Sequence, residues 1–207
     1  MAKTQETQIK LPSPELKGKL SLEQAISKRR SVRRFKNEPL TLSQLSQLLW
    51  SAQGTTGTGG ERAVPSAGAT YPLEVFIIVG EQGINELNPG LYHYDSGNHS
   101  LNLHQTGDLR QKMAEAALGQ TAISRCPVDM VVCAVHPRTA YRYGKRGERY
   151  VHMEVGHVGQ NVALQAVALD LGTVMVGAFE DEEVIKALKL EAQMKPLYII
   201  PIGKPVY

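Results

Sequence analysis

No stretch of the 207-residue chain approaches the roughly 20 consecutive apolar residues that a membrane-spanning helix requires. The start, Met1-Ala-Lys-Thr-Gln-Glu6, is polar rather than a charged lead into a secretory core, so a cytoplasmic protein without membrane association is expected. Cysteine is almost absent. Cys126 and Cys133 have neither metal-ligand nor redox-motif spacing, and on a shared strand their odd separation would put them on opposite faces; both read as structural thiols. Also missing are a Walker-type loop, a dinucleotide-binding glycine fingerprint and a nucleophile elbow, which disfavours nucleoside-triphosphate and serine-hydrolase chemistry. His152 and His157 lie five apart, the wrong spacing for the helical zinc motif, so no metal site is expected. Glu154 and His157, three apart, are instead expected to pair.

What is present is ordinary globular composition, 42% hydrophobic and 21% charged, with a net charge of +3 that is unevenly placed. Lys28, Arg29, Arg30, Arg33, Arg34 and Lys36 crowd into one short stretch, and the basic residues elsewhere are outnumbered by the acidic ones. That is one local anion site rather than a surface that coats nucleic acid. A single aromatic residue, Phe35, lies among the cations, too few for the stacking that single-strand binding would want.

Residues 1–20 have no clear period and read as an N-terminal arm, followed by a single domain over 21–207. Ser21 with Gln24, and Thr41 with Gln44, are capping boxes that start two helices, the second stopped by Gly54. Residues 54–60 and 65–72 are loops. Leu73–Val79 and Val128–Val135 are apolar, β-rich runs that suit buried strands, and shorter strands near 91–94 and 100–104 flank a hairpin turn. Asp108 caps a helix to about Leu118. The longest helix is expected from near Arg149 to Leu171, stopped by Gly172; since Glu154 is its one formal charge between Tyr150 and Leu169, it should be buried on most of its circumference. A strand from Thr173 to Phe179, a helix capped by Asp181 and a last strand, Leu197–Ile202, complete an α+β order.

Three constellations can carry chemistry. Ser27-Lys-Arg-Arg-Ser-Val-Arg-Arg-Phe35 puts guanidinium forks and a hydroxyl where a helix yields to an extended segment, which suits either a phosphate pocket or a solvated basic helix end. Pro65-Ser66-Ala67-Gly68 and Val176-Gly177-Ala178-Phe179 set small residues beside apolar strands, where backbone N–H groups can approach a planar ligand. Lys204 follows the last strand and could add charge to a phosphate site.

In order, these pieces resemble the nitroreductase family of FMN flavoproteins, particularly the branch with the SagB-type azoline oxidases. The matching segments are Arg29-Arg-Ser-Val-Arg33 with Phe35; Leu49-Trp-Ser-Ala-Gln-Gly54; Pro65-Ser-Ala-Gly68 with Tyr71-Pro-Leu-Glu-Val75; Gly156-His-Val-Gly-Gln-Asn161 with Leu164-Gln-Ala166; Gly172-Thr-Val-Met-Val-Gly177; and Ile200-Pro-Ile-Gly-Lys204. The resemblance implies a nitroreductase-like fold, a mixed central sheet flanked by helices with a long buried core helix. It also implies a homodimer that transfers hydride between NADH or NADPH and an electron-poor acceptor such as a quinone or nitroarene. It assigns Arg29, Arg30, Ser31, Arg33 and Lys204 to the FMN phosphate and ribityl chain. Pro65, Ser66, Ala67 and Gly68 would reach the flavin from the partner subunit, and Val176, Gly177 and Ala178 would reach its ring. Azoline oxidases of this branch carry a lysine–tyrosine pair; the match here is Arg142-Tyr143, and an arginine is a poor proton acceptor. Azoline dehydrogenation or a non-catalytic flavin-binding role are the alternatives. Tyr71, Arg142 and Tyr143 are the candidates for the substrate pocket.

Overall fold

The computed structural model describes residues 8–206; the first seven residues of the expected arm, and Tyr207, lie outside the described residues. Strands β1 (Gln8–Lys10), β2 (Leu73–Val79), β3 (Gly90–Asp95), β4 (Ser100–Thr106), β5 (Val128–Val135), β6 (Gly172–Thr173) and β7 (Met194–Gly203) form one seven-stranded sheet in the order β1-β4-β3-β2-β5-β7-β6. Every strand pair is antiparallel, and parallel pairing occurs as the single bridges Ser31–Thr173 and Leu40–Ile84. Helices α1 (Leu22–Lys28), α2 (Leu42–Gln53), α3 (Arg110–Ala116), α4 (Thr121–Arg125), α5 (His136–Tyr143), α6 (Gly147–Ala168) and α7 (Asp181–Leu188) complete the chain.

All eight residues of β5 are buried because the sheet is covered on both faces. Val128, Met130, Val132 and Ala134 join Leu45, Leu48 and Leu49 of α2 and Val151, Val155, Val158 and Val162 of α6 in one core. Val131 and Cys133 join Met113, Ile123, Val184 and Leu188 of α3, α4 and α7 in another. Burying each such aliphatic side chain contributes about 1.5–3 kcal/mol. Cys126 ends α4, outside β5, so the strand-face argument for the two thiols does not apply; both are buried and free.

Both capping boxes form as expected, with side chain and backbone bonded in each direction. Other details differ. Residues 8–10 of the arm add an edge strand, and Leu11 behind them is buried: the Gln8-Ile9-Lys10-Leu11 alternation is real but too short to stand out. Gly54 caps α2 with φ −66° rather than a left-handed turn; a Cβ there would collide with the Trp50 ring, so close approach is what requires glycine. Gly172 does not stop α6. That helix ends at Ala168 and turns on Asp170, φ 56°, while a Cβ on Gly172 would fall 2.7 Å from Val32. The expected strand 173–179 shrinks to β6 and a bridge from Val176 to Ile199.

Burial of α6 also differs from expectation in this single chain. Val151, Glu154, Val155, Val158, Gly159, Val162, Ala163 and Ala166 face inward, but Glu148, Arg149, His152, Met153, Gly156, His157 and Gln160 are exposed, a side with no formal charge beyond its first turn. Among the described residues no helix is long and apolar enough to cross a membrane.

Candidate functional site

The arginine segment leaves α1 and runs extended between two partners. On one side Val32 N–H donates to Thr173 O at 3.0 Å, and on the other Lys36 N–H donates to Lys204 O at 2.8 Å and Val206 N–H to Arg34 O at 3.0 Å. These bonds bring Arg29, Arg30, Ser31 and Arg33 to the same end of the sheet as Lys204. Arg29 is half-buried and Arg30, Ser31, Arg33 and Arg34 are exposed; among the described residues none of these arginines has a carboxylate partner. Arg30 folds back on its own backbone, donating to Ser27 O and Arg29 O. Lys204 pairs with Glu38 at 2.9 Å, and that hydrogen bond holds the Glu38 carboxyl below its ordinary range. The hydroxyl of Thr173, buried beside Ser31, has no hydrogen-bond partner. Guanidiniums without a carboxylate partner, beside an unsatisfied buried hydroxyl, suit a phosphate-bearing ligand.

Val176 is fixed by paired backbone bonds to Ile199. Beyond it Gly177 and Ala178 are exposed, and among the described residues neither N–H donates a bond, so both can serve a ligand. Gly177 lies against Tyr198, which also packs on Gly159 of α6.

The Pro65–Tyr71 loop is held in a less common backbone conformation, with Gly68, Ala69 and Tyr71 at φ 58°, 54° and 43°. Arg142 of α5 donates to Gly68 O at 3.2 Å, and a Cβ on Gly68 would meet the Tyr143 hydroxyl at 2.6 Å. The three proposed substrate-pocket residues therefore gather here. Arg62 stacks over the Tyr71 ring at 4.5 Å, and Arg138 donates to Tyr71 O at 3.1 Å while pairing with Glu74 at 2.6 Å. Burial would raise the Glu74 carboxyl, but contacts with His93 and Arg138 outweigh it and bring it below the usual range.

Beneath the loop is a group that sequence reasoning misassigned. Glu154, 2% exposed, does not pair with His157, which points to solvent; its Oε2 accepts the Ser66 hydroxyl at 2.6 Å, and Tyr71 N–H donates to Ser66 Oγ at 3.0 Å. Burial pushes the Glu154 carboxyl up, opposed by the hydrogen bond from Ser66, by the nearby Gln53 amide and by the charge of Arg62. A lone charge on an apolar helix was the visible signal. Its partner, 88 residues away, was not. Thr173, Gln53 and Arg62 were also missed.

The arginine segment and the Pro65–Tyr71 loop do not share one cavity in a single chain. Arg30 lines a cavity of about 600 Å³ with Ala163, Val167 and Thr173, whereas Tyr71 lines a different one of about 480 Å³ with Arg62, Glu74 and His93.

An antiparallel sheet covered on both faces thus carries a cluster of cations at one end and a loop with positive φ angles over the long helix α6. The chain belongs to the nitroreductase family, whose profile matches residues 26–204. It is 44% identical over 200 residues to MJ1384 of Methanocaldococcus jannaschii, a protein named as a nitroreductase, covering 96% of this chain and 97% of that one. It is 26% identical over 165 residues to the microcin B17-processing protein McbC of Escherichia coli, covering 77% of this chain and 61% of McbC. A crystal structure from Ralstonia eutropha, described as a nitroreductase, superposes with a TM-score of 0.85 at 30% identity, covering 100% of this chain and 93% of that one.

Proposed function

We propose that the chain is an FMN-dependent oxidoreductase that passes hydride from NADH or NADPH to an electron-poor acceptor such as a nitroarene or quinone, and that it works as a homodimer. The observation that carries the reading is the set of guanidiniums near Ser31 that have no carboxylate partner among the described residues, with the unsatisfied Thr173 hydroxyl beside Ser31. Arg29, Arg30, Ser31 and Arg33 would take the phosphate and ribityl chain, and Lys204 would exchange Glu38 for the phosphate. The free N–H groups of Gly177 and Ala178 would meet polar atoms of the ring beside Val176. Bound FMN supplies the hydride acceptor, so no protein acid or base is required for the nicotinamide step.

Two observations support the dimer. Beyond its first turn α6 exposes a side with no formal charge in one chain, and the two halves of the site open into different cavities. A second copy packed on α6 would bring its own Pro65, Ser66, Ala67 and Gly68 to the first copy's phosphate pocket.

Likeness to a microcin-processing protein favours a second reading, azoline dehydrogenation of a peptide. Arg142 counts against it, since it stands where that chemistry wants a lysine and cannot usefully give up its proton.

The test is an absorbance spectrum of the purified protein with the released cofactor identified by mass. A flavin spectrum with FMN is expected. A colourless protein that takes up no added FMN would overturn the proposal.

A further inference from the structure

Two separate arms reach the Pro65–Tyr71 loop from the helices below it. From α6, Glu154 accepts the Ser66 hydroxyl at 2.6 Å and Ser66 in turn accepts the Tyr71 N–H at 3.0 Å. From the end of α2, Gln53 accepts from Arg62 Nη1 at 2.9 Å, and Arg62 lies on the Tyr71 ring. The arms come close, since the Gln53 amide acts on the Glu154 carboxyl; yet Glu154 Oε1 and Gln53 Nε2 are buried and, among the described residues, without a hydrogen-bond partner. With its oxygen fixed by Arg62, Gln53 has only its N–H groups to offer the carboxylate. Donors on both sides favour the charged Glu154 over the protonated one, whose oxygens accept more weakly.

We propose that Glu154 is a positioning residue whose charge state sets the hold of the Pro65–Tyr71 loop, and through it the retention of the flavin. The charged carboxylate takes Ser66 from one side and Gln53 from the other and so draws the two arms together. The protonated acid draws on both donors more weakly, and the loop slackens.

The surroundings move such a transition upward from the ordinary carboxylate range. Burial pushes the carboxyl up, and among the described residues no cation makes an ion pair with it. Arg62, on the loop, is the charge that acts on it, and it does so from beyond Gln53. On α6 itself the neighbouring titratable groups are Tyr150, half-buried, and the exposed His157; α2 contributes only the neutral Gln53. From α5, Arg142 and Tyr143 meet the loop at Gly68, on its other side.

The inference rests on the FMN reading, and the test separates the two. FMN dissociation is followed by fluorescence from pH 5.5 to 8, beside hydrogen exchange of the amides of residues 66–71, in wild type, Glu154→Gln and Ser66→Ala. In wild type, FMN binding should weaken about tenfold toward pH 5.5, the effect of one unit of pKa difference between two loop states, with faster amide exchange. Both variants should lose that slope, Glu154→Gln because the group no longer titrates and Ser66→Ala because the loop no longer feels it. Slopes parallel to wild type in both variants would overturn the proposal. Should the protein bind no FMN at any pH, the functional reading fails, while the exchange slopes still decide the role of Glu154.

Discussion

Asp129 is the residue whose environment fits its chemistry least. It lies on β5, fully buried, with neither carboxylate oxygen hydrogen-bonded, beside the Cys126 thiol. The nearest guanidinium, Arg110, is already spent on Asp108 and the Cys126 carbonyl. Burial therefore pushes the Asp129 carboxyl well above its usual range. An acid raised in the folded state holds its proton after the unfolded chain has released it. Its contribution is fully favourable below the unfolded value and declines as pH rises toward the folded one. Asp129→Asn never charges, so its melting temperature relative to wild type should climb between pH 5 and 8; parallel melting curves would refute this. At the same end of the sheet, Arg29→Ala and Arg33→Ala should each weaken FMN binding by about 1.5–3 kcal/mol, as for loss of a charge-assisted contact, with the melting profile of the flavin-free protein unchanged. Full flavin retention in both would remove the phosphate pocket.

Among the elements, α6 decides whether the site can be assembled. Gly156 and Gly159 both look suited to close helix approach, yet they differ. Gly159 is filled from within, its Cβ position 3.1 Å from Met175 Cγ, whereas Gly156 faces open space. Only Gly156 is left for a second copy. Gly156→Leu should suit the isolated helix, since leucine is the better helix former, but weaken a close dimer by about 1–3 kcal/mol through overpacking. Light scattering should show dissociation, with flavin lost in parallel; an unchanged dimer would place the interface elsewhere. The elements legible in the sequence are those with local signals: two capping boxes, and the β2 and β5 runs, whose bounds match because burial on both faces keeps them apolar but for Glu74 and Asp129. Those missed lack such signals. In α5 only Thr139 is buried, so no apolar period exists to be seen, and α6 begins on Gly147, an unusual helix start. Of the candidate site, the arginine run and the small-residue loops stood out by composition. Glu154, Gln53 and Arg62 did not, because their contacts with one another and with Ser66 depend on how α2 and α6 pack.

For the whole molecule, the question is which chemistry the assembled site performs. Around the Pro65–Tyr71 loop the chain places Tyr71 under Arg62, with Arg142 and Tyr143 against Gly68. These aromatic faces and donors can stack on a planar acceptor and hydrogen-bond to its oxygens. Nothing in the group is suited to pull a proton from an unactivated ring. The two tyrosines are phenols, and Arg142 stays charged at any working pH. Hydride arriving from a nicotinamide needs no such base, and neither does its onward transfer to a quinone or nitroarene. A single open face would serve donor and acceptor in turn, which predicts ping-pong kinetics. Mixed in a stopped-flow instrument, the oxidised protein should bleach with NADH or NADPH, and a second mix with a quinone or nitroarene should restore the colour. An azoline peptide should leave the flavin oxidised. Arg142→Lys offers a sharper comparison, because it restores a titratable amine at the position in question. It should leave the nicotinamide step within about threefold of wild type, a change of under 1 kcal/mol in the barrier, since no proton transfer through Arg142 is involved. If neither nucleotide bleaches the flavin while an azoline peptide does, the acceptor assignment and the argument from Arg142 fall together.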